Sequence, residues 1–307
     1  MCNFVLSVRD DIISSFKKIE PKYFDLLNNL SEPIGKGVRS RFTFKLSRAL
    51  KIDYNRAVKI ASSAELVHIA SLLHDDCIDE AITRRGIESI NFKFGVNKAI
   101  LVGDLVASLS FEKARSLSPD MALALVDCVK DMTKGALLEE NLKYKIISEK
   151  DYFEIVNYKT AALFKWISFA LASFSKSNNF ISLEKISNNF GLGFQIIDDI
   201  IDIEENENVA GKDTFKDLLE GKVTYPVIIS LKDDYVKEKI NGFFSDRDVS
   251  KLYEIKKYLI DNGYTLKARE RTKNIILELK DDVLKISKEE AGIDFFNYIY
   301  SITERKK

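Results

Sequence analysis

Three aspartates at the end of an apolar segment have residue types and spacing that could do chemistry. They lie in residues 72–86, which read Leu-Leu-His-Asp-Asp-Cys-Ile-Asp-Glu-Ala-Ile-Thr-Arg-Arg-Gly. If the preceding segment is a helix, Asp75 and Asp79 project from the same face, whereas Asp76 points elsewhere. Acids at a helix C-terminus repel one another and the negative end of the helix dipole, so a cation is expected there. Mg²⁺ suits such oxygen ligands, and it completes its shell with water and substrate phosphate.

Two arginines follow these acids after one short loop. Arg84 and Arg85 can each bind an anion through a planar guanidinium group. Carboxylates for a metal beside guanidinium groups for phosphate predict a site for a metal-bridged diphosphate.

A second acidic cluster lies in residues 194–202, which read Phe-Gln-Ile-Ile-Asp-Asp-Ile-Ile-Asp. Gln195, Asp198 and Asp202 are three and four residues apart, so they share a helix face, and Asp199 lies beside them. A single run of acids is usually a solvated surface. Two distant clusters that are both embedded in apolar helix indicate a functional site instead, because solvated acids do not belong there.

Basic residues and one histidine could complete an anion site. Residues 35–39, Gly-Lys-Gly-Val-Arg, open a helix, and Lys36 and Arg39 lie in its first turn beside backbone N–H groups that could bind phosphate. The sequence lacks the further glycine of a complete P-loop, and ordinary surface bases are the alternative. His68 lies almost two turns before Asp75 on the same line. A lone histidine there is commonly a core residue, but the nearby acids favour a role in the site.

Long helices are predicted to position these groups. Apolar periodicity predicts an N-terminal helix that continues in a second piece after Pro21, and helices over residues 54–74, 152–175 and 180–203. Pro119 starts another helix at a favoured position. Residues 204–222 are polar and glycine-bearing, which predicts a lid over phosphates or a solvated linker. Residues 236–307 read as amphipathic helices without a chemical constellation.

Composition narrows the class of protein. The 307 residues carry equal numbers of basic and acidic side chains, which argues against nucleic acid as a partner. Four prolines and thirteen glycines favour long helices. Cys2, Cys77 and Cys128 have no metal-ligand spacing and fit a reducing compartment. No apolar run reaches the length of a signal-peptide core or a transmembrane segment, so a cytoplasmic protein is expected.

Taken together, these motifs closely resemble those of the trans-isoprenyl diphosphate synthases, also called polyprenyl synthetases. That family has a first Asp-rich motif followed by Arg-Arg-Gly, and a second Asp-rich motif preceded by Phe-Gln. Its Gly-Lys-x-x-Arg motif, its Lys-Thr pair and its two late lysines are matched by Lys36, Arg39, Lys159, Thr160, Lys212 and Lys222. The resemblance covers residues 35–231. Two departures are Ser40, where proline is common, and Gly135-Ala136, where a Gly-Glu pair is frequent.

The resemblance implies an all-α isoprenoid synthase fold, with long helices around a deep central cavity and both Asp-rich motifs at its mouth. A homodimer is expected from the family, and the absence of an internal linker in the sequence favours one domain over residues 1–307. Three Mg²⁺ ions would be held by Asp75, Asp79 and Asp198, with Asp76, Asp199 and Asp202 in support. An allylic diphosphate would bind there with Arg84, Lys159 and Lys212, and isopentenyl diphosphate would bind Lys36, Arg39, His68 and Arg85. Lys222 would bind substrate, and Lys159, Thr160 and Gln195 would lie near the reacting cation.

The implied reaction agrees with the chemistry of these residues. Magnesium and basic side chains stabilise the departing diphosphate, so the allylic C–O bond ionises. Isopentenyl diphosphate then attacks, and the released diphosphate can accept the proton that is lost.

Small residues before the first motif predict a long product. Ala70 and Ser71 lie one helical turn, about 5.4 Å, deeper than Asp75, which is close to one isoprene unit. Short-chain members of the family usually have an aromatic residue there. We therefore expect a product longer than C20.

Several alternatives remain open from the sequence. A geranylgeranyl or farnesyl diphosphate synthase would stop chain growth elsewhere in its cavity. A class I terpene cyclase has a different second metal motif, so the intact second acidic cluster speaks against it. A non-catalytic partner subunit of a heterodimeric synthase tends to lose acids that both clusters retain here.

Overall fold

The computed structural model describes residues 1–19, 34–176, 179–204 and 215–305, and these are almost entirely α-helical. In chain order the helices are α1 (Cys2–Phe16), α2 (Val38–Ala49), α3 (Tyr54–Ile78), α4 (Ile90–Phe94), α5 (Val96–Arg115), α6 (Pro119–Leu142), α7 (Glu149–Val156), α8 (Ala162–Ala172), α9 (Phe180–Glu204), α10 (Lys216–Leu219), α11 (Tyr225–Ser230), α12 (Asp234–Asp246), α13 (Ser250–Asp261), α14 (Tyr264–Leu277), α15 (Lys280–Ile286) and α16 (Glu290–Ser301). A π-helical turn, Asn157–Ala161, joins α7 to α8, and a 3₁₀ turn, Ile302–Glu304, follows α16. The predicted all-α class is confirmed.

The chain forms two compact units. Unit 1 comprises Met1–Val129, Trp166–Phe180 and Ile286–Phe295, and unit 2 comprises Lys130–Lys165, Ile181–Lys285 and Phe296–Lys307. The single domain expected over residues 1–307 stays a prediction. No helix in the described ranges is long and apolar enough to cross a membrane.

Helix α3 is the centre of unit 1. The Asp53 side chain caps its N-terminus by accepting a hydrogen bond from the Arg56 N–H at 3.0 Å. Small and apolar residues are buried around most of its circumference, and it packs against α1, α2 and α5. The predicted helix over residues 54–74 is confirmed, and it continues one turn further. That extra turn carries the first acidic cluster.

A β-hairpin follows α3 where the sequence suggested only a loop. Strand β1 (Thr83–Arg84) pairs antiparallel with β2 (Ile87–Glu88). Arg85 and Gly86, between the strands, both have positive φ angles, at 56° and 76°. Two consecutive residues with positive φ form a two-residue hairpin turn whose twist matches that of the paired strands. Positive φ is unfavourable for a residue such as arginine. Unfavourable conformations of this kind are concentrated at functional sites.

The π-helical turn is the main departure from the helix predicted over residues 152–175. A Cβ atom on Gly135 would lie 2.6 Å from the Lys159 backbone nitrogen, and one on Gly191 would lie 2.6 Å from the Ala161 Cα. Both glycines therefore allow α6 and α9 to approach the turn closely. The two glycines are the sequence signal for this packing, and the turn presents Lys159 and Thr160.

Two predicted segments involve residues that the structure does not describe. The second piece of the N-terminal helix lies entirely outside the described residues, and residues 205–214 of the proposed lid lie outside them as well. The described end of that lid forms the short helix α10.

Candidate active site

The first acidic cluster ends α3 and is fixed by the hairpin. Asp75 and Asp79 are half-buried, and the Asp79 N–H donates to the Asp75 carbonyl at 2.8 Å. Asp76 is 3% exposed, and Arg84 Nε donates to both of its carboxylate oxygens at 2.8 Å. The Asp76 carboxylate thus contacts Arg84 in β1. This contact with Asp76 orients the Arg84 side chain.

Three arginines surround His68 in unit 1. The Arg85 guanidinium lies so close to Gly35 that a Cβ there would be 2.3 Å from Arg85 Cζ. Desolvation, then the charges of Arg39, Arg85 and Arg84, hold the His68 pKa well below its ordinary value. His68 is therefore neutral at neutral pH. Four of the predicted isopentenyl and allylic diphosphate ligands are thus brought together.

Glu65 is a buried acid that the sequence reading missed. It is 2% exposed, and its Oε1 accepts hydrogen bonds from the Ser40 N–H at 2.9 Å and the Ser40 hydroxyl at 2.6 Å. The sequence suggested that a phosphate could bind N–H groups in the first turn of α2, and this stays a prediction. The Ser40 N–H is not one of those groups, because it donates to a protein carboxylate. The signal in the sequence was a glutamate inside an apolar helix, where a charge needs a partner.

The second acidic cluster centres on a buried carboxylate, that of Asp199. It accepts hydrogen bonds from the Tyr152 hydroxyl at 2.6 Å, Gln195 Nε2 at 3.0 Å and the Tyr225 N–H at 3.1 Å. Burial raises the pKa of Asp199 to about 7, although these three donors favour its anion. Asp199 therefore joins α7, α9 and the start of α11.

A cavity of about 130 Å³ in unit 2 is lined by Asp199 and by several other polar side chains. Thr160 Oγ1 donates to Gln195 Oε1 at 2.8 Å, and Lys159 Nζ lies 2.6 Å from Glu139 Oε2. Glu139 lies three residues beyond Ala136, so α6 retains an acid near the Lys-Thr pair. The remaining polar lining is Lys143, Tyr152, Asp217, Lys222 and Thr224. The structure thus places Lys159, Thr160, Gln195 and Lys222 around one space.

Asp217 is a further acid that sequence reasoning missed. Its N–H and that of Lys216 donate to Asp202 at 3.2 Å. Desolvation raises its pKa well above the usual value, and the charges of Asp202 and Asp199 raise it further. Asp217 is half-buried, and its position in a segment read as a polar loop gave no sign of this environment.

Asp198 is paired with the C-terminal segment of the described chain. Arg305 Nη1 donates to Asp198 Oδ1 at 2.8 Å, and the Arg305 guanidinium lies over the Phe194 ring. Arg269 fixes this segment by donating to the Thr303 and Arg305 carbonyls. Arg305 thus supplies a positive charge beside the Asp198 carboxylate. No sequence motif indicated Arg305.

Carboxylate oxygens are the donors that Mg²⁺ prefers, and Asp198 and Asp202 are half-buried rather than enclosed. These residues therefore fit a divalent cation. In the described ranges no three His, Cys, Asp or Glu side chains converge tightly enough to form a complete metal site. Solvent or substrate oxygens would have to complete the coordination. Lys212 lies outside the described residues.

The residues assigned to product length both lie on α3. Ala70 is buried with the apolar side chains of unit 1. Ser71 is half-buried, and its hydroxyl donates to the His68 carbonyl at 2.9 Å.

Residues 20–259 match the family model described as Polyprenyl synthetase. The chain belongs to this family. Its enzyme class is therefore that of the prenyltransferases, as predicted.

Three curated relatives have related names. A geranylgeranyl diphosphate synthase from Sulfolobus acidocaldarius is 29% identical over 89% of this chain and 89% of its own length. A decaprenyl-diphosphate synthase from Dictyostelium discoideum is 31% identical, and the alignment covers 86% of this chain and 58% of that relative. Heptaprenyl diphosphate synthase component 2 from Geobacillus stearothermophilus is 32% identical over 71% of this chain and 69% of its own length.

A solved structure of similar fold is the heptaprenyl diphosphate synthase from Staphylococcus aureus. It has a TM-score of 0.91 and 22% identity, and the alignment covers 99% of this chain and 98% of that one. The chain therefore has the isoprenoid synthase fold.

Removal of the Tyr152 hydroxyl should destabilise the protein in a pH-dependent way. Folding raises the Asp199 pKa, so this group favours the folded state at low pH and the benefit is lost as pH rises through about 7. Tyr152→Phe removes a donor to the anion, so the loss of unfolding free energy should be about 2–3 kcal/mol at pH 8.5 and about 1 kcal/mol at pH 5. Denaturant unfolding at both pH values measures the difference.

Tyr225→Phe is the matched control for this variant. The Tyr225 hydroxyl donates to Glu149, and only its backbone N–H reaches Asp199. Its effect should not grow between pH 5 and 8.5. An equal loss at both pH values for Tyr152→Phe would contradict the assignment of the hydrogen bond.

Proposed function

We propose that this chain is a trans-polyprenyl diphosphate synthase that joins isopentenyl diphosphate to an allylic diphosphate and makes a product longer than C20. The observation that carries the proposal is the second acidic cluster, in which Asp199 is held by three donors beside a cavity lined by Lys159, Thr160, Gln195 and Lys222. A non-catalytic subunit tends to lose its acids, whereas both acidic clusters are retained here.

Magnesium is part of the proposal, with three ions assigned to Asp75, Asp79 and Asp198 and with Asp76, Asp199 and Asp202 in support. When bound, Mg²⁺ would neutralise charge on the departing diphosphate. Asp199 holds the turn of α9 from which Asp198 and Asp202 project. Asp76 orients Arg84, which is proposed to bind the allylic diphosphate with Lys159, Lys212 and Lys222.

The isopentenyl diphosphate site is assigned to Lys36, Arg39, His68 and Arg85. Guanidinium groups bind phosphate oxygens through paired hydrogen bonds. Neutral His68 can donate a hydrogen bond without adding a further positive charge to the cluster.

Three residues are assigned to positions beside the allylic carbon that becomes positively charged: Lys159, Thr160 and Gln195. Because the Thr160 hydroxyl donates to Gln195, its oxygen lone pairs remain available to face that charge. Released diphosphate can accept the proton that is lost on condensation, so no protein base is assigned.

Loss of either acidic cluster should abolish turnover without unfolding the protein. Asp75→Ala and Asp198→Ala should each lower kcat by about 100-fold or more, because charge on the leaving group is then poorly stabilised. Condensation of farnesyl and isopentenyl diphosphates, followed by product extraction, measures the rate. Asp246→Ala, a change at an exposed acid, should be neutral. Unchanged rates in both cluster variants would rule out the metal assignment.

Product length should respond to the side chain at position 71. Ser71→Phe places an aromatic ring one turn before Asp75 and should shorten the main product to C20 or less, whereas Ser71→Ala should leave the length unchanged. Chromatography of the dephosphorylated products distinguishes the two. A wild-type product of C15 or C20 would favour the alternative, a farnesyl or geranylgeranyl diphosphate synthase.

A homodimer is the proposed assembly. Exposed apolar side chains are concentrated in one stretch of unit 1, at Ile78, Ile82, Ile87, Phe92, Val96, Ile100 and Leu101. Such residues are typical of interaction surfaces when they form a patch. The name of the Geobacillus relative, a component 2, keeps a heterodimer as the alternative.

A cytoplasmic location is also proposed, and the three cysteines form no disulfide.

Leu101→Lys should convert the proposed dimer to a monomer, because it places a charge in an apolar surface. Sedimentation equilibrium measures the mass. Leu137→Lys is the control, since Leu137 in unit 2 is 60% exposed and Leu101 is 66% exposed. A monomeric, fully active wild-type protein would contradict the dimer. An inactive monomer that gains activity with a second subunit would favour the heterodimer.

A further inference from the structure

The first turn of α2 receives its cap from another helix. Gly37 is the N-cap residue, with φ of 62°, and it supplies no side-chain cap. The first N–H groups of a helix have no partner within it. Glu65 on α3 accepts the Ser40 N–H at 2.9 Å and the Ser40 hydroxyl at 2.6 Å, so it caps α2 from outside.

This contact is a strong link, because both partners are buried. Ser40 is fully buried and Glu65 is 2% exposed. A buried carboxylate without hydrogen bonds is costly, and a helix N-terminus stabilises negative charge. The hydrogen bonds of Ser40 therefore fix the start of α2 against one particular turn of α3.

The link joins two groups of proposed diphosphate ligands. Lys36 and Arg39 precede Ser40 on the α2 side, and His68 lies one turn after Glu65 on α3. The charge of Glu65 also acts on Arg85, where it opposes the effects of desolvation and of Arg84 on the arginine pKa. The Glu65 carboxylate thus contacts Ser40, next to Arg39, and its charge acts on Arg85.

We propose that Ser40 and Glu65 are a positioning pair that sets the spacing of Lys36 and Arg39 relative to His68 and Arg85, and so controls affinity for isopentenyl diphosphate. This inference rests on the proposed function. A proline at position 40 has no N–H or hydroxyl to donate. This chain therefore fixes the start of α2 against α3 through a contact that proline could not make.

Calorimetric titration of the full-length protein with isopentenyl diphosphate alone, and separately with farnesyl diphosphate, tests the pair. Ser40→Ala removes the hydroxyl and should raise the Kd for isopentenyl diphosphate about threefold, while Ser40→Pro removes both donors and should raise it about tenfold. The Kd for farnesyl diphosphate should change less than about twofold in either variant. Ser40→Thr keeps both donors and should bind like the wild type.

Ser47→Ala is the matched control, since Ser47 is also buried on α2 but its hydroxyl donates only to the Phe44 carbonyl of the same helix. An unchanged Kd for isopentenyl diphosphate in Ser40→Ala, or an equal rise in the Kd for both ligands, would overturn the positioning role. Failure of the wild-type protein to bind isopentenyl diphosphate would overturn it as well. If Ser40→Pro does not fold, the Ser40→Ala and Ser40→Thr pair decides the matter. Condensation by the wild type is assayed separately, and its absence would count against the proposed function alone.

Discussion

A carboxylate buried in apolar helix must be surrounded by donors, and this requirement organises the functional residues of each unit. In unit 2 the Asp199 carboxylate accepts hydrogen bonds from Tyr152, Gln195 and the Tyr225 N–H. In unit 1 Glu65 accepts both donors of Ser40. Because each acid is costly to bury alone, its donors fix the neighbouring helices. His68 lies one turn after Glu65, and Gln195 lies one turn before Asp199.

Close helix packing adds a second constraint in unit 2. Gly135 and Gly191 bring α6 and α9 against the π-helical turn, and larger side chains there would meet its backbone. An α-helix with a π turn changes the direction of the side chains that follow, and such turns are frequent at functional sites. Lys159 and Thr160 are thereby presented to the cavity that Gln195 and Asp199 also line.

Several proposed ligands are already paired with opposite charges of the same unit. Arg84 contacts Asp76, Lys159 contacts Glu139, and Arg305 contacts Asp198. The Lys159–Glu139 and Arg305–Asp198 pairs are partly exposed and contribute little to stability, so exchange of these partners for a substrate diphosphate or a cation costs little. Asp76 is buried, so its pair with Arg84 is retained and serves to orient the arginine. The structure therefore combines rigid buried acids with half-exposed charges that can change partners.

The sequence predicted the helices that carry the acids, because apolar periodicity and motif spacing are local properties. That Asp76 points away from the face that carries Asp75 and Asp79 stays a prediction. The sequence did not predict the hairpin at Arg85 and Gly86 or the π turn, which depend on positive φ angles and on packing against distant glycines. Glu65, Asp217 and Arg305 were missed for a similar reason, since their partners are remote in sequence.

We propose that each acidic cluster binds divalent cations when an allylic diphosphate is present. The direct measurement is the number of Mn²⁺ ions bound per chain, by electron paramagnetic resonance, in the presence of a non-cleavable allylic diphosphate analogue. We expect Asp75→Asn and Asp198→Asn each to lower this number relative to the wild type. An unchanged number in both variants would contradict it.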